Sequence, residues 1–338
     1  MKPLILGLAG ESLSADEATL FRAVEPAGYI LFGHNVSNPE QLGGLTDSLR
    51  ALSGNAALPI LIDQEGGRVA RLKPYQWPHF PAGRAFAALY DLAPMTAIEA
   101  MRVNAEAIGL TLAEAGITVN CMPVLDLLHA DTSAAIADRC LSARARGVAA
   151  LGRAALDGLR SAGIVGVVKH MPGQGRASAD SHAALPIVTA SEAELADDLL
   201  PFAALADARI GMVGHVVYTA WDDAAPASQS ALVIDNIIRG RIGFDGLLLS
   251  DDLHMDALSG DIGTRANAVL AAGCDLALAC WVGGDDVRAL ADALPDIMQT
   301  ARDRLDRAMS FIGTEPAKAV DKLPALIAKR DALLAYAV

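Results

Sequence analysis

Ile164-Val165-Gly166-Val167-Val168-Lys169-His170-Met171-Pro172-Gly173 is the stretch whose reading decides the fold. An apolar run too short for a helix leads directly into charged and turn-forming residues. Continuous apolar character, rather than alternation, is what a strand covered on both faces of a parallel sheet requires. Similar runs occur at Leu4–Ala9, Tyr29–Phe32, Pro59–Ile62, Ile117–Leu125, Ile210–Val217, Leu247–Leu249 and Leu276–Ala279, which with Ile164–Val168 makes eight.

Helical segments lie between them. Ser14-Ala15-Asp16-Glu17 is a capping-box pattern ahead of Leu20, Phe21 and Val24, and Ser191-Glu192-Ala193-Glu194 repeats it ahead of Leu195, Leu199 and Phe202. In such a box serine and glutamate satisfy orphan N–H groups reciprocally. Val148, Leu151, Ala155 and Leu159 share one helical face. Eight strand–helix alternations without a composition break predict an α/β protein, a (β/α)8 barrel of the TIM type, over a six-stranded open sheet. The 338 residues would divide into two domains of about 150. Barrels, however, run from roughly 200 to more than 400 residues as one unit. With no low-complexity linker, residues 1–338 read as one catalytic barrel. Extra helices from about 285 to 338, Val287–Phe311 and Leu323–Val338, pad it or form a subunit contact.

The charge balance is −13, from 27 Lys+Arg against 40 Asp+Glu, and no basic run offers a local exception, which argues against nucleic acid. No stretch reaches the roughly 18 uninterrupted apolar residues of a membrane span. Met1-Lys2-Pro3 leads into an apolar run too short for a signal peptide. Cys121, Cys140, Cys274 and Cys280 form no CxxC pair and read as structural, which fits a reduced, cytoplasmic protein.

In a barrel, function gathers at the C-terminal ends of the strands. There the sequence places Asp63-Gln64-Glu65-Gly66-Gly67-Arg68, Pro123-Val124-Leu125-Asp126, Lys169-His170, His215 and Ser250-Asp251-Asp252. Polar side chains at a buried rim need partners or a ligand. The loop Gly173-Gln174-Gly175-Arg176-Ala177-Ser178-Ala179-Asp180-Ser181-His182 is small, polar and poor in apolar anchors, so mobility is expected of it. Asp180 could bond one ring nitrogen of His182 and support its charged form, making an acid–base group; the plainer reading is a surface loop with an incidental histidine. Neighbouring strand residues point to opposite sides, so only one of Asp251 and Asp252 faces the barrel centre, and the other would cap the following helix. The facing by itself does not choose.

His170, Asp180, His182 and Asp251 as metal ligands form the rival reading. No HxH, HExxH or Cys cluster supports it, and Lys169 disfavours a nearby cation. No GxGxxG supports a nucleotide, so no cofactor is expected. Trp221 and Trp281 follow the sixth and eighth strands, where an indole stacks on a sugar ring or packs the rim.

Four stretches together resemble glycoside hydrolase family 3, and within it the single-domain bacterial β-N-acetylglucosaminidases of peptidoglycan recycling. They are Ile62-Asp63-Gln64-Glu65-Gly66-Gly67-Arg68-Val69, Lys169-His170-Met171-Pro172-Gly173-Gln174-Gly175, Asp180-Ser181-His182 with Leu185-Pro186, and Ser250-Asp251-Asp252-Leu253 with Met255. The resemblance runs from about 5 to 285. It implies Asp251 as nucleophile, His182 as proton donor with Asp180 as its partner, and Asp63, Arg71, Arg139, Lys169 and His170 as sugar-binding positions. It implies removal of terminal GlcNAc from peptidoglycan-derived fragments by a retaining, exo-acting enzyme. Met171 and Gln174 depart from the family's usual Phe and second His. The alternatives are a phosphorylase on the same frame and a non-catalytic sugar-binding barrel. Neither oligomeric state nor the natural aglycone is legible.

Overall fold

The computed structural model describes residues 1–181, 184–312 and 320–337. Eight parallel strands close into a barrel: β1 (Lys2–Leu6), β2 (Pro26–Leu31), β3 (Ile60–Ile62), β4 (Val119–Asn120), β5 (Val165–Met171), β6 (Ile210–Val213), β7 (Leu247–Asp252) and β8 (Leu276–Ala279). Each pairs with its sequence neighbours, and β1 pairs with β8 to remove any edge. All eight apolar runs carry a strand, as the (β/α)8 expectation requires.

Two apolar layers explain why the runs show no alternation. Ile5, Leu61, Val119, Val165, Val167, Ile210, Met212, Leu247, Leu249, Leu276 and Leu278 form one cluster inside the barrel. The residues between them, such as Leu4, Leu6, Ile60, Ile62, Leu248 and Ala277, join the layer beneath the helices. Both faces are therefore apolar, and the period of two survives only as a choice of layer.

Helices form where capping and periodicity place them. Ser14 and Glu17 close a capping box on Ala15–Val24, and Ser191 and Glu194 do so on Glu192–Ala204, which tolerates Pro201 inside it. On Ala145–Ser161 the stripe Val148, Leu151, Ala155 and Leu159 is fully buried. Burial of each Val or Leu there contributes about 1.5–3 kcal/mol.

The C-terminal region departs in one respect. The expected helix Val287–Phe311 is two, Gly284–Ala293 and Gln299–Met309. Pro295 lies between them and lacks the N–H that would continue the first. Leu305, Ala308 and Met309 of the second join the inner cluster and close the barrel at its N-terminal end. The last helix, Leu323–Leu334, packs on Pro94–Glu114. Its buried Arg330 donates to His79 O at 3.1 Å and Asn104 Oδ1 at 3.2 Å. No described helix is long and apolar enough to cross a membrane.

Candidate active site

The strands continue past their apolar cores into the polar residues, where register shifts in β5 and β7 interrupt the inner–outer alternation and turn adjacent residues toward one cavity. Leu61, Val167 and Leu249 belong to the inner cluster, and Asp63, Lys169 and Asp251 follow them two residues on. These carboxylates and the ammonium line one cavity of about 720 Å³ at the C-terminal end of the barrel, together with Arg71, Arg139, His170 and Asp180. That volume falls within the range of small-molecule sites. Seven of the eight positions singled out in the sequence thus share one cavity. His182 lies outside the described residues.

An ion network holds one wall. Lys169 Nζ sits 2.9 Å from Asp63 Oδ1 and 2.8 Å from Glu65 Oε1. Arg71 Nη2 donates to Asp63 Oδ2 at 3.2 Å. Burial opposes the charge on Lys169, yet Asp63 and Glu65 raise its pKa above the usual lysine range, so it stays an ammonium. Burial would raise the Asp63 carboxyl as well, but Lys169 and Arg71 hold it below its ordinary value. An ammonium has three donors. Among the described residues two are engaged, which leaves one for a ligand hydroxyl.

His170 is held by Asp126, to which the sequence pattern assigns no role. Asp126 Oδ2 lies 2.7 Å from His170 Nδ1, and its Oδ1 accepts the backbone N–H of His170 at 3.2 Å and of Gln174 at 2.8 Å. Bonded at Nδ1, the ring can offer only Nε2 to a ligand. The sequence pattern likewise assigns no role to Glu65. Both belong to quoted motifs, but a carboxylate whose task is to hold another side chain leaves no mark in the sequence that separates it from one facing substrate.

Asp251 and Asp252 both reach the cavity lining, against the expectation that only one faces the barrel centre, because a register shift on β7 sets Asp252 opposite the inward Leu278. Asp252 Oδ1 accepts N–H bonds from His254 at 3.2 Å and Cys280 at 3.1 Å and pairs with the His254 ring at 3.1 Å. Burial would raise its carboxyl, but His254 and those N–H groups hold it low. The expectation that this residue caps the following helix is corrected: Ile262–Ala271 is capped by Asp261, and Asp252 instead ties β7 to the end of β8.

Two further expectations change. His215 stands at the C-terminal end of β6 but does not line the cavity. It is fully buried, with Nε2 donating to Asp252 O at 3.0 Å and Nδ1 accepting from Ser228 Oγ at 2.6 Å, and burial lowers its pKa, so it is neutral. The loop after β5 is anchored over residues 173–177. Tyr218 Oη donates to Gly173 O at 2.9 Å, Arg176 pairs with Asp198 at 2.7 Å, and Ala177 O accepts from Ser133 N at 3.1 Å. Gly175 lies so close to Leu127 O that any Cβ would collide with it. The two indoles separate too: Trp221 packs on Tyr218 at 5.2 Å, while Trp281 lines the cavity.

A cavity with an inward carboxylate, a loop bringing Asp180 to its lining, and a wall of paired cations and anions suits a ligand rich in hydroxyls. Comparison with known proteins gives it context. Residues 6–311 match the glycosyl hydrolase family 3 N-terminal domain. The chain is 39% identical over 283 residues to a beta-hexosaminidase of Alkalilimnicola ehrlichii, covering 82% of this chain and 80% of that protein. The crystal structure of NagZ from Neisseria gonorrhoeae in complex with N-trifluoroacetyl-D-glucosamine superimposes with a TM-score of 0.89 at 32% identity, covering 100% of this chain and 98% of that one. A family 3 beta-N-acetylglucosaminidase from Paenibacillus gives 0.86 at 29% identity, over 98% of this chain and 67% of that one.

Proposed function

Since the chain belongs to glycosyl hydrolase family 3 and is a glycoside hydrolase, we propose that it is a retaining exo-β-N-acetylglucosaminidase. Its substrates in this reading are peptidoglycan-derived fragments, from which it removes terminal GlcNAc in the cytoplasm. The observation that carries the reading is the convergence of Asp251 with Asp63, Arg71, Arg139, Lys169, His170 and Asp180 on one cavity. The relatives named above, hexosaminidases among them, support the choice of sugar. Four buried, unpaired cysteines fit a reducing compartment. We read residues 1–338 as one catalytic unit.

A retaining glycosidase needs a nucleophile at the anomeric carbon and an acid at the leaving oxygen. Asp251 takes the first role and forms a covalent glycosyl-enzyme. His182, as imidazolium, protonates the leaving oxygen and then, neutral, draws a proton from the attacking water. The charge of Asp180 favours the imidazolium. Asp63 accepts from sugar hydroxyls, while Lys169, Arg71, Arg139 and His170 Nε2 donate to hydroxyl and carbonyl oxygens.

The test is turnover of nitrophenyl glycosides of several sugars in phosphate-free buffer, with the product's anomer read by NMR. Selective release of β-GlcNAc as first product supports the reading. A sugar phosphate formed only when phosphate is added would make the enzyme a phosphorylase, and no turnover of any glycoside would make the barrel a sugar-binding protein.

A further inference from the structure

Ten large hydrophobic side chains are exposed among the described residues, and Trp281 is the one that also lines the cavity. It is 56% exposed and yet fixed in place. Its ring stacks on Phe32 at 4.9 Å and meets His34 at 5.2 Å. Those two rings are held by backbone. His34 Nε2 donates to Leu8 O at 2.8 Å, and Asn35 bridges the same turn, accepting from Phe32 N at 2.9 Å and donating to Gly10 O at 2.8 Å. An exposed indole on a rigid base is a prepared apolar surface at the edge of the cavity.

Its position follows from the strand register. Leu278 on β8 pairs with Asp252 on β7, and Trp281 comes three residues later. It therefore stands at most about 10 Å further toward the mouth than the Asp251–Asp252 level. The ion network of Asp63, Lys169 and Arg139 comes from the ends of β3 and β5 and the loop after β4, whereas Trp281 and Phe32 follow β8 and β2. The cavity thus has a charged wall at depth and an aromatic wall nearer the opening. A terminal sugar seated at Asp251 leaves its bonded neighbour to extend toward the opening. The apolar C–H face of a pyranose is the part of that neighbour an indole face can desolvate favourably.

We propose that Trp281, seated on Phe32 and His34, forms a second sugar subsite that takes the pyranose ring on the leaving-group side of the scissile bond. The proposal rests on the glycosidase reading and adds a residue that selects the substrate without touching the reacting atoms.

Trp281→Ala should lower kcat/KM on a β-1,4-linked GlcNAc disaccharide about tenfold while changing it less than about twofold on methyl β-N-acetylglucosaminide, whose leaving group has no ring. Trp281→Phe should recover most of the loss. Equal losses on both substrates, or none on either, would overturn the subsite. Calorimetric titration with the sulfur-linked disaccharide, which is not cleaved, keeps the two readings apart. The wild type should bind it about tenfold more tightly than free GlcNAc, and Trp281→Ala should lose that margin. If the wild type hydrolyses nothing but keeps a Trp281-dependent margin, the hydrolase reading fails and the subsite stands. If the margin is absent in the wild type, the subsite fails whatever the activity.

Discussion

Arg139 grips Glu65 with two hydrogen bonds, Nε to Oε2 at 2.9 Å and Nη2 to Oε1 at 2.8 Å. The fork joins the loop after β4 to the end of β3, and the second charge on Glu65, from Lys169, joins both to β5. Planar guanidinium and carboxylate match bidentately, which fixes orientation as well as charge. Burial alone would raise the Glu65 carboxyl, but Arg139 and Lys169 hold it well below the usual carboxylate range.

The sign of the pH effect follows. A carboxyl whose folded pKa is depressed contributes stability above its unfolded pKa, about 4.3 for glutamate, and loses it progressively as pH falls toward the folded value. Thermal melts should show stability dropping below about pH 4, with Asp63 adding in the same direction. Glu65→Gln should be less stable at pH 7 by roughly 3 kcal/mol, since it leaves two buried cations short of a partner. Its acid limb should be flatter. A parallel acid limb in the variant would mean other carboxylates carry the loss.

If Asp251 is the nucleophile, Asp251→Asn should fall below about a thousandth of wild-type kcat. Asp252→Asn should keep a measurable fraction of activity but melt earlier, since Asp252 receives the Cys280 and His254 N–H groups. A 5-fluoro glycosyl donor followed by peptide mapping should label Asp251. Label on Asp252 would reverse the two roles.

His182→Ala should lose about 10²- to 10⁴-fold in kcat/KM with a GlcNAc disaccharide and far less with a nitrophenyl glycoside, whose leaving oxygen scarcely needs a proton. Asp180→Asn should show a milder form of the same pattern. Azide, which needs no general base, should speed turnover of the nitrophenyl substrate and give the glycosyl azide with retained configuration. Equal losses on both substrates without azide rescue would place the acid elsewhere.

What could be read in the sequence was set by burial. Strands apolar on both faces announce themselves, so all eight were legible, but reading each strand only as far as its first polar residue stops too early. β5 runs through Lys169 and His170, and β7 through Ser250 to Asp252, because these polar side chains find partners inside the fold. The reverse error occurs at β4, where the run Ile117–Leu125 yields only Val119–Asn120. There the Asn120 side chain takes over the ladder, accepting from Gln64 N and donating to Gln64 O, both at 3.0 Å. The two-residue strands Ile187–Val188 and Val217–Tyr218 pair outside the barrel and are too short to show any period. Asp63 and Asp251 were legible as polar residues ending strands, but facing did not choose between Asp251 and Asp252, and only the family resemblance did. Glu65, Asp126 and Asp198 act through other side chains across long sequence separations, which no local pattern records.

Asp198 carries the last expectation. It is buried on the helix Glu192–Ala204, with Oδ1 2.8 Å from His129 Nε2 and Oδ2 2.7 Å from Arg176 Nε. One carboxylate thereby ties the loop after β4 and the root of the loop after β5 to a helix packed on the barrel. Further along that second loop come Asp180 and His182. Asp198→Asn keeps the shape and removes the charge, leaving the half-buried Arg176 without its counterion, at a cost of roughly 3 kcal/mol in stability. If the tie positions the acid, kcat/KM should fall about tenfold on the disaccharide and much less on the nitrophenyl glycoside at a temperature well below the melt, because only the poor leaving group depends on a well-placed proton. Arg176→Lys, which retains a charge but not the guanidinium geometry, should lie between wild type and Asp198→Asn on both measures. A variant that melts earlier yet loses the same factor on both substrates would limit Asp198 to holding the fold.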